Sequence, residues 1–326
     1  MRRIVGIFAL CAGFGPASAH AAAPLEHFGI CDGSAAVAVG ADRFLVANDD
    51  DQTLRLYRRD VSGAALDASF NWSKWLDIDG EKKKDEVDIE GAAQVGKRIY
   101  WIGSHGLNTK GKVKPKRRQL FATDIDDKHG ELDLKPFGTA YAGLLPALMA
   151  DKYGLREAAA KIPEEGGLNI EGLAATPQGH LLIGFRSPVI DGKALIVPLR
   201  NADALLAKQA AAPDLGDPIR LPLGGRGIRS IDYAPGLRAY LIIAGPAGKD
   251  GDFKLYKWSG AAKDAPVLLK IDLDRSLRPE ALLPLADGKT FQLLSDDGDD
   301  KIDGTICKEY EPKSRRKFRS VTVTVE

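Results

Sequence analysis

The sequence has almost no net charge, since 46 lysine and arginine residues oppose 45 aspartate and glutamate residues. Arg2 and Arg3 are the charged residues of the first 21, so the remainder has 44 basic and 45 acidic residues. Domains that bind nucleic acid normally have a basic excess. The charge balance therefore argues against a nucleic-acid partner.

Long apolar runs are missing after the N-terminal segment, so no membrane insertion is expected. That segment begins with Arg2 and Arg3, continues with an apolar run from Ile4 to Phe14, and ends with small residues around Ala19. This order is typical of a secretory signal peptide, and the run is too short to span a bilayer. We expect a signal peptide over 1–21, one mature domain over 22–326, and a monomer located in the periplasm or secreted.

Cysteine is scarce, and two of the three cysteines, Cys31 and Cys307, lie outside the expected signal peptide. A pair of cysteines in an oxidising compartment favours a disulfide. Closing so long a loop would stabilise the fold by roughly 4 to 5 kcal/mol. Two buried free thiols are the alternative.

The motifs of several common enzyme classes are missing from the sequence. It has no phosphate-binding loop, no Gly-x-Ser-x-Gly elbow, no paired-cysteine zinc site and no His-Glu-x-x-His. His27, His129 and His180 fall at predicted strand edges or turns, where structural or exposed positions are expected. His105 alone is placed where it could act as a general base.

What the sequence does contain is a repeated phrase. Asn169-Ile170-Glu171-Gly172-Leu173-Ala174 has a near copy at 88–93 and a weaker one at 278–283. Two further copies, at 31–35 and 228–231, align with it only when mismatches are allowed. The copies recur at intervals of about 50 to 80 residues, which is typical of repeat architectures.

Each copy is followed by short segments with the alternation and β-branched content of strands. The predicted second and third strands are Arg43–Ala47 and Thr53–Tyr57, Arg98–Gly103 and Gln119–Asp124, His180–Phe185 and Ala194–Leu199, Ala239–Ala244 and Phe253–Trp258, and Thr290–Ser295 and Phe318–Val325. Outer strands are predicted at Leu132–Phe137, Pro218–Leu223 and Val267–Leu273.

Four strands per unit of this length predict an all-β fold, a single β-propeller. Five blades are expected and six are the alternative, with a helical insertion near 142–161 that explains the longest interval. Pairing of the N- and C-terminal segments in one blade would close the ring and remove its open edges. A Cys31–Cys307 bridge would fix that closure.

The acidic position of the repeated phrase should border the central channel on one face, because the innermost strand of each blade starts there. These positions are Asp32, Glu90, Glu171 and Glu280, with Arg229 replacing the acid in the fourth unit. The loop after each second strand returns to the same face and adds polar groups. The candidate ligand-binding residues are Glu90, Ser104, His105, Glu171, Arg186, Arg229 and Glu280.

Converging carboxylates repel one another unless something compensates. The compensation could be internal arginines and backbone amides, or a cationic or polyhydroxyl ligand. It could also be Ca²⁺, which takes several oxygen ligands. The candidate metal ligands are Asp32, Glu90, Glu171 and Glu280, and no other cofactor is indicated.

The loop from His105 to Arg118 is strongly basic. A solvated loop is one interpretation, since runs of like charge are usually exposed. A lid that brings His105 and its cations over the channel, suited to a phosphate or carboxylate, is the other. His105 and Glu171 are the candidate catalytic residues.

Three segments together resemble a known family: Asp88–Ala92, Ile102–Ala122 with its Gly-Ser-His start and basic stretch, and Asn169–Pro188. The chain is similar to a bacterial propeller family catalogued as domain of unknown function 3616. The resemblance implies a propeller and frequent export, and it implies no settled activity. The Ile-Glu-Gly repeats give a looser likeness to esterase-like and phytase-like propellers.

Three functions fit these observations. The first is an exported propeller that binds a small polar or anionic ligand on the channel face, together with Ca²⁺ or without it. The second is a metal-assisted phosphoesterase-like hydrolase, and the third is an envelope scaffold that docks another protein.

Overall fold

The computed structural model describes residues 23–66, 69–78, 86–128 and 131–325. The predicted signal peptide and His129 lie outside the described residues. The strands, in chain order, are β1 (Leu25–Phe28), β2 (Ala35–Val39), β3 (Arg43–Ala47), β4 (Thr53–Arg58), β5 (Gly63–Ala64), β6 (Ser69–Asn71), β7 (Ile89–Val95), β8 (Arg98–Gly103), β9 (Leu120–Lys128), β10 (Glu131–Tyr141), β11 (Asn169–Ala175), β12 (Leu181–Ser187), β13 (Ala194–Leu199), β14 (Ile219–Leu221), β15 (Gly227–Ala234), β16 (Ala239–Gly245), β17 (Lys254–Trp258), β18 (Val267–Leu268), β19 (Pro279–Pro284), β20 (Thr290–Ser295), β21 (Lys301–Ile302), β22 (Thr305–Ile306) and β23 (Lys317–Thr324).

The strands form a five-bladed β-propeller, which confirms the predicted fold. Blades 1 to 4 are antiparallel sheets with the orders β2-β3-β4-β6, β7-β8-β9-β10, β11-β12-β13-β14 and β15-β16-β17-β18. Blade 5 has the order β19-β20-β23-β1-β5, and β21 pairs with β22 in a separate hairpin. The inner strands β2, β7, β11, β15 and β19 contact one another in sequence, and β19 contacts β2 to complete the ring.

The helical segments are short. The predicted insertion contains the α-helix α1 (Leu144–Leu148), followed by 3-10 turns, and its apolar residues join the core shared by blades 2 and 3. A second α-helix, α2 (Ala202–Leu206), lies between β13 and β14. The 3-10 turns are Pro115–Arg118, Asp151–Tyr153, Ala158–Ala160, Pro163–Glu165, Pro235–Leu237, Cys307–Glu309 and Lys313–Arg315. Among the described residues, no helix has the length and apolar character needed to cross a membrane.

Of the three predicted outer strands, β14 and β18 are shorter than the sequence indicates and β10 is longer. Strand β18 ends at Leu268, whereas the sequence predicts a strand to Leu273. Leu269, Ile271 and Leu273 instead pack on the core between blades 4 and 5, so their apolar character serves burial rather than pairing.

Both chain ends contribute to blade 5, as the sequence predicts. Strand β1 pairs antiparallel with β23, with Leu25 opposite Ser320 and Phe28 opposite Lys317. The Cys31–Cys307 disulfide, with Cα atoms 5.8 Å apart, adds a covalent link at this closure and confirms the predicted bridge. A disulfide is compatible with an extracellular location.

The glycine of the repeated phrase has a steric reason that the sequence alone left open. A Cβ at Gly91 would lie 3.0 Å from Leu173 Cβ, and one at Gly172 would lie 2.8 Å from Ile228 Cγ2. Leu173 and Ile228 belong to the inner strand of the following blade. The missing side chain therefore lets neighbouring inner strands approach closely.

We expect Gly172→Ala to lower the free energy of unfolding by roughly 1 to 3 kcal/mol, because the added methyl overpacks this contact. Gly63→Ala is the matched control, since a Cβ there meets no atom within 4 Å. Thermal or urea unfolding of both variants measures the effect. Equal stability of the two variants would contradict the steric explanation.

His27 is a structural residue of the closure and is fully buried. Its ring stacks on Phe318 at 4.9 Å, and its Nε2 lies 2.8 Å from Ser320 Oγ. Burial lowers the pKa of His27 to about 4. The imidazole is therefore neutral in the folded protein at pH values where the unfolded chain is already protonated.

The lowered pKa of His27 predicts a pH-dependent loss of stability. His27 binds a proton near pH 6.5 in the unfolded chain and only near pH 4 in the folded protein. The stability that the neutral, buried imidazole contributes is therefore complete above pH 6.5 and is lost as the pH falls towards 4. The free energy of unfolding should fall by roughly 3 kcal/mol more for the wild type than for His27→Asn over this range. The control is His180→Asn, at a partly exposed imidazole; equal slopes for wild type and His27→Asn would refute the assignment.

Candidate functional site

The charged residues of the repeated phrase occupy β-bulges in four of the five blades. Strand β7 pairs Ile89 with Gly103 and then Gly91 with Ile102, so Glu90 has no partner on β8. The same register shift leaves Glu171, Arg229 and Glu280 unmatched on β12, β16 and β20. A bulge redirects the side chain of its extra residue, and bulges are frequent beside functional sites. Blade 1 differs, since Asp32 lies ahead of β2.

Glu171 is bound by two arginines. Arg186 Nη1 donates to Glu171 Oε1 at 3.0 Å, and Arg229 Nε lies 3.0 Å from Glu171 Oε2. Asn169 Nδ2 donates to Oε1 at 2.9 Å. Only 4% of Glu171 is exposed, so this carboxylate is neutralised by the two arginines rather than by water.

Arg229 connects Glu171 to the acid of the next blade. Its Nη2 contacts Glu280 Oε1, and both side chains are buried. Burial raises the pKa of Glu280 to about 8, and Arg229 opposes that rise. For Arg229 itself, the carboxylates of Glu171 and Glu280 outweigh burial and raise the pKa. The arginine of blade 4 thus compensates the acids of blades 3 and 5.

Glu90 differs from these acids. Within the part of the chain that the structure describes, no hydrogen bond or ion pair reaches its carboxylate, and the side chain is half-buried. Burial, followed by the charges of Asp88, Glu171 and Glu280, raises its pKa well above the usual glutamate range. Glu90 therefore binds a proton at pH values where an exposed glutamate is ionised.

A second group of acids lies at the blade 1 side of the same face. One oxygen from each of Asp32, Asp49 and Asp50 can lie within 4.8 Å of the others. Lys308 Nζ is 2.8 Å from Asp49 Oδ2 and 3.7 Å from Asp32 Oδ2. Asp32 is only 2% exposed, and its Oδ2 accepts no hydrogen bond from the described residues. Burial, followed by the charge of Asp49, raises the pKa of Asp32. We call Asp32, Asp49 and Asp50 the acidic pocket.

The disulfide positions the lysine of the acidic pocket. Cys31 precedes Asp32 and Cys307 precedes Lys308, so the bridge holds acid and base side by side across 276 residues of sequence. Sequence reasoning missed Lys308. The adjacency of each charged residue to a cysteine of the expected bridge was the signal that could have found it.

His105 is buried between blades 2 and 3. It has a positive φ of 59°, and its Nδ1 lies 2.8 Å from the Gly103 carbonyl oxygen, which fixes a proton on Nδ1. Its Nε2 has no hydrogen-bond partner among the described residues, and burial lowers the pKa of His105 to about 4. The imidazole is thus neutral with an available lone pair. Its described contacts do not include Glu90 or Glu171.

Ser104 joins the two blades. Its backbone N–H donates to the Asp88 carbonyl at 3.0 Å, and its carbonyl accepts from Ile170 N–H at 2.9 Å. Its side chain is only 2% exposed. These hydrogen bonds link the beginnings of the inner strands of blades 2 and 3, and they do not involve Glu90.

The basic loop is anchored by acids at its C-terminal end. Arg117 Nη1 lies 2.8 Å from Asp88 Oδ2, and Nη2 contacts Glu86. Lys116 Nζ donates to the Leu76 carbonyl at 3.1 Å. Lys110 and Lys112 are exposed. The loop therefore supplies counter-charge at its base and has exposed cations at its tip.

The structure brings Glu171, Arg186, Arg229 and Glu280 into one connected network and leaves Glu90 beside it. Asp32 forms a separate group with Lys308. Carboxylate oxygens of this kind suit a hard cation or a hydroxyl-rich ligand. Arginine pairing accounts for the charge of Glu171 and Glu280, whereas the acidic pocket has three carboxylates around one lysine.

Comparison with solved structures gives distant similarities. The chain is similar to a chain of the mitotic checkpoint complex, with 12% identity, 100% of each chain covered and a TM-score of 0.42. It is similar to the PQQ-bound aldose sugar dehydrogenase of Streptomyces coelicolor, with 13% identity, 92% of this chain and 98% of that chain covered, and a TM-score of 0.43. It is also similar to Trypanosoma rangeli sialidase, with 10% identity, 85% of this chain and 43% of that chain covered, and a TM-score of 0.41. At this level the similarities carry no argument about ligand or reaction.

The search of curated proteins finds no match. A family model does match, over residues 32–128 and 136–292. It covers the inner strands of all five blades, whereas β1 and β23 of blade 5 lie outside the match. Since the match spans well over half of the sequence, the chain belongs to the family described as Protein of unknown function (DUF3616).

Proposed function

We propose that the mature protein is exported and binds Ca²⁺ in the acidic pocket, next to a small polar ligand held by the charged network of the inner strands. The observation that carries the proposal is the incomplete compensation of the acidic pocket. Asp32, Asp49 and Asp50 converge around one ammonium group, and the buried Oδ2 of Asp32 accepts no hydrogen bond from the described residues. A buried carboxylate oxygen without a donor is costly, and a divalent cation would satisfy it.

The charge of the surrounding face supports a cation rather than a free anion. Burial raises the pKa of Asp296, and the charge of Asp49 adds to the rise. Glu90 adds a further acid without a partner within the described structure. A polar ligand with hydroxyl or cationic groups would meet carboxylates here, together with the guanidinium of Arg186, whose Nη2 donates to the Gly248 carbonyl at 2.8 Å.

Ca²⁺ should raise the melting temperature of the EDTA-treated protein, and Asp50→Asn should remove most of that rise. At a concentration 100 times the dissociation constant, binding adds about 2.7 kcal/mol, which corresponds to several degrees for a chain of this size. Asp50 is exposed, so its replacement should not disturb the core. Differential scanning fluorimetry with Ca²⁺, Mg²⁺ and EDTA measures the shift.

Two variants make this test specific. Asp60→Asn is the matched control, because Asp60 is also exposed but follows β4 at the opposite end of blade 1. Lys308→Met should strengthen Ca²⁺ binding, because it removes the ammonium that competes for Asp32 and Asp49. An unchanged melting temperature for wild type and Lys308→Met in Ca²⁺ would overturn the cation site. A panel of sugars and phosphates in the same assay tests the polar ligand.

A metal-assisted phosphoesterase-like hydrolase is the second candidate, and the free Nε2 of His105 is the feature that favours it. Ca²⁺ would polarise the ester, and His105 or a carboxylate would activate water. We expect His105→Ala and Glu171→Gln each to abolish turnover of generic phosphate esters in the presence of Ca²⁺. Melting curves must show that both variants fold, and full activity in both would remove this candidate.

A further inference from the structure

The opposite face of the propeller contains a cavity that the proposed function does not use. The turns between the first and second strands of blades 1, 4 and 5 meet there, and the chain leaving β4 passes beside them. The cavity has a volume of about 330 Å³. We call this the turn-face cavity; it is lined by Ala38, Arg59, Pro235, Leu285 and Asp287, among others.

Arg59 is the cationic group of the turn-face cavity, and it is 92% buried, since only 8% of its surface is exposed. Among the described residues, no group forms a hydrogen bond with its Nε or Nη2, and no carboxylate forms an ion pair with it. Asp42 attracts it at longer range, and burial lowers its pKa. A guanidinium buried without a partner costs free energy that a bound anion would recover.

The backbone of Arg59 is held firmly although its side chain is free. Its N–H donates to the Asp42 carbonyl at 2.8 Å within blade 1. Its carbonyl accepts from Gln292 Nε2 at 2.9 Å, which links it to blade 5. The position of the guanidinium is therefore set by the fold rather than by a partner of its own.

The walls of the cavity favour an organic anion. Small and apolar residues form most of the lining, and the turns of blades 4 and 5 touch at Gly236 and Gly288. A Cβ on Gly236 would lie 2.6 Å from Gly288 Cα, so no side chain could project at that contact. A ligand here meets hydrocarbon surface, the Arg59 guanidinium and the Asp287 carboxylate.

Asp287 limits the charge that the cavity can accept. Its Oδ2 accepts a hydrogen bond from the Thr290 hydroxyl, its Oδ1 accepts from Lys289 N–H at 2.9 Å and Thr290 N–H at 2.8 Å, and these bonds lower its pKa. The carboxylate is therefore ionised at neutral pH and repels a second negative charge. Dianions such as phosphate or succinate are disfavoured relative to a monoanion.

We propose that the turn-face cavity binds a small monocarboxylate, with its carboxylate paired to the Arg59 guanidinium and its short hydrocarbon part against the apolar turns. Guanidinium and carboxylate match in geometry and can form two parallel hydrogen bonds. This site is separate from the acidic pocket and does not depend on the Ca²⁺ proposal.

The test is a ligand series followed by thermal shift and isothermal titration calorimetry at constant ionic strength in EDTA. Acetate, propionate and butyrate should stabilise the protein in increasing order, because each added methylene buries more apolar surface. Propionamide, which has the shape of propionate but no charge, should have no effect. Succinate and inorganic phosphate should bind more weakly than propionate.

Arg59→Gln should weaken propionate binding by roughly tenfold to a hundredfold, the range expected for hydrogen bonds to a charged group. Arg58→Gln is the matched control, because Arg58 is the neighbouring residue and is exposed. Without ligand, Arg59→Gln should be as stable as the wild type or more stable, since it removes an unpaired buried charge. That measurement also shows that the variant folds.

Three results would overturn the proposal. They are no stabilisation by any monocarboxylate, equal propionate binding by wild type and Arg59→Gln, and binding of phosphate or succinate as tight as that of propionate. Repeating the series with Asp50→Asn separates the two sites, because loss of Ca²⁺ binding should leave propionate binding unchanged.

Discussion

The pairing of β1 with β23 is the interaction on which the rest of the structure depends. The inner strands close their own ring through β19 and β2, but without β1 the strand β23 would have an unpaired outer edge in blade 5. The N-terminal strand β1 covers that edge, and the Cys31–Cys307 bridge adds a covalent link beside it. The buried ring of His27 packs against Phe318 and Tyr57 at the same place. The bridge at this closure also holds Asp32 next to Lys308.

Close approach of the inner strands creates an electrostatic problem at the channel. The glycine of the repeated phrase lets neighbouring blades approach, and the bulge before it turns the charged side chain out of the strand pairing. Arg229 resolves the problem for blades 3 and 5 by contacting both Glu171 and Glu280. Glu90 and the acidic pocket are compensated less completely. The carboxylates of Glu90 and the acidic pocket are therefore the groups on this face that are most suited to binding a ligand.

The two faces of the propeller differ in the sign of the charge that lacks a partner. One face has the acidic pocket, in which the buried Asp32 lies beside a single lysine, and the other has a buried arginine in an apolar cavity. Salt bridges inside a protein compensate for desolvation only when the partners meet in good geometry. A buried charge that the fold itself positions, as the backbone of Arg59 is positioned by Asp42 and Gln292, is consistent with an external partner.

The sequence by itself determined the repeat and the blade architecture, because strand periodicity and spacing are local properties of the chain. It also predicted the closure by both ends and the disulfide, with six blades and two free thiols as the alternatives. It also placed Asp32, Glu90, Glu171, Arg229 and Glu280 at the start of the inner strands. Only the tertiary structure decided which of these charges are neutralised. Lys308 reaches Asp49 across 259 residues of sequence, and Arg59 lies against turns of blades 4 and 5. Such contacts between distant segments depend on how the blades close into a ring, and strand periodicity does not record them.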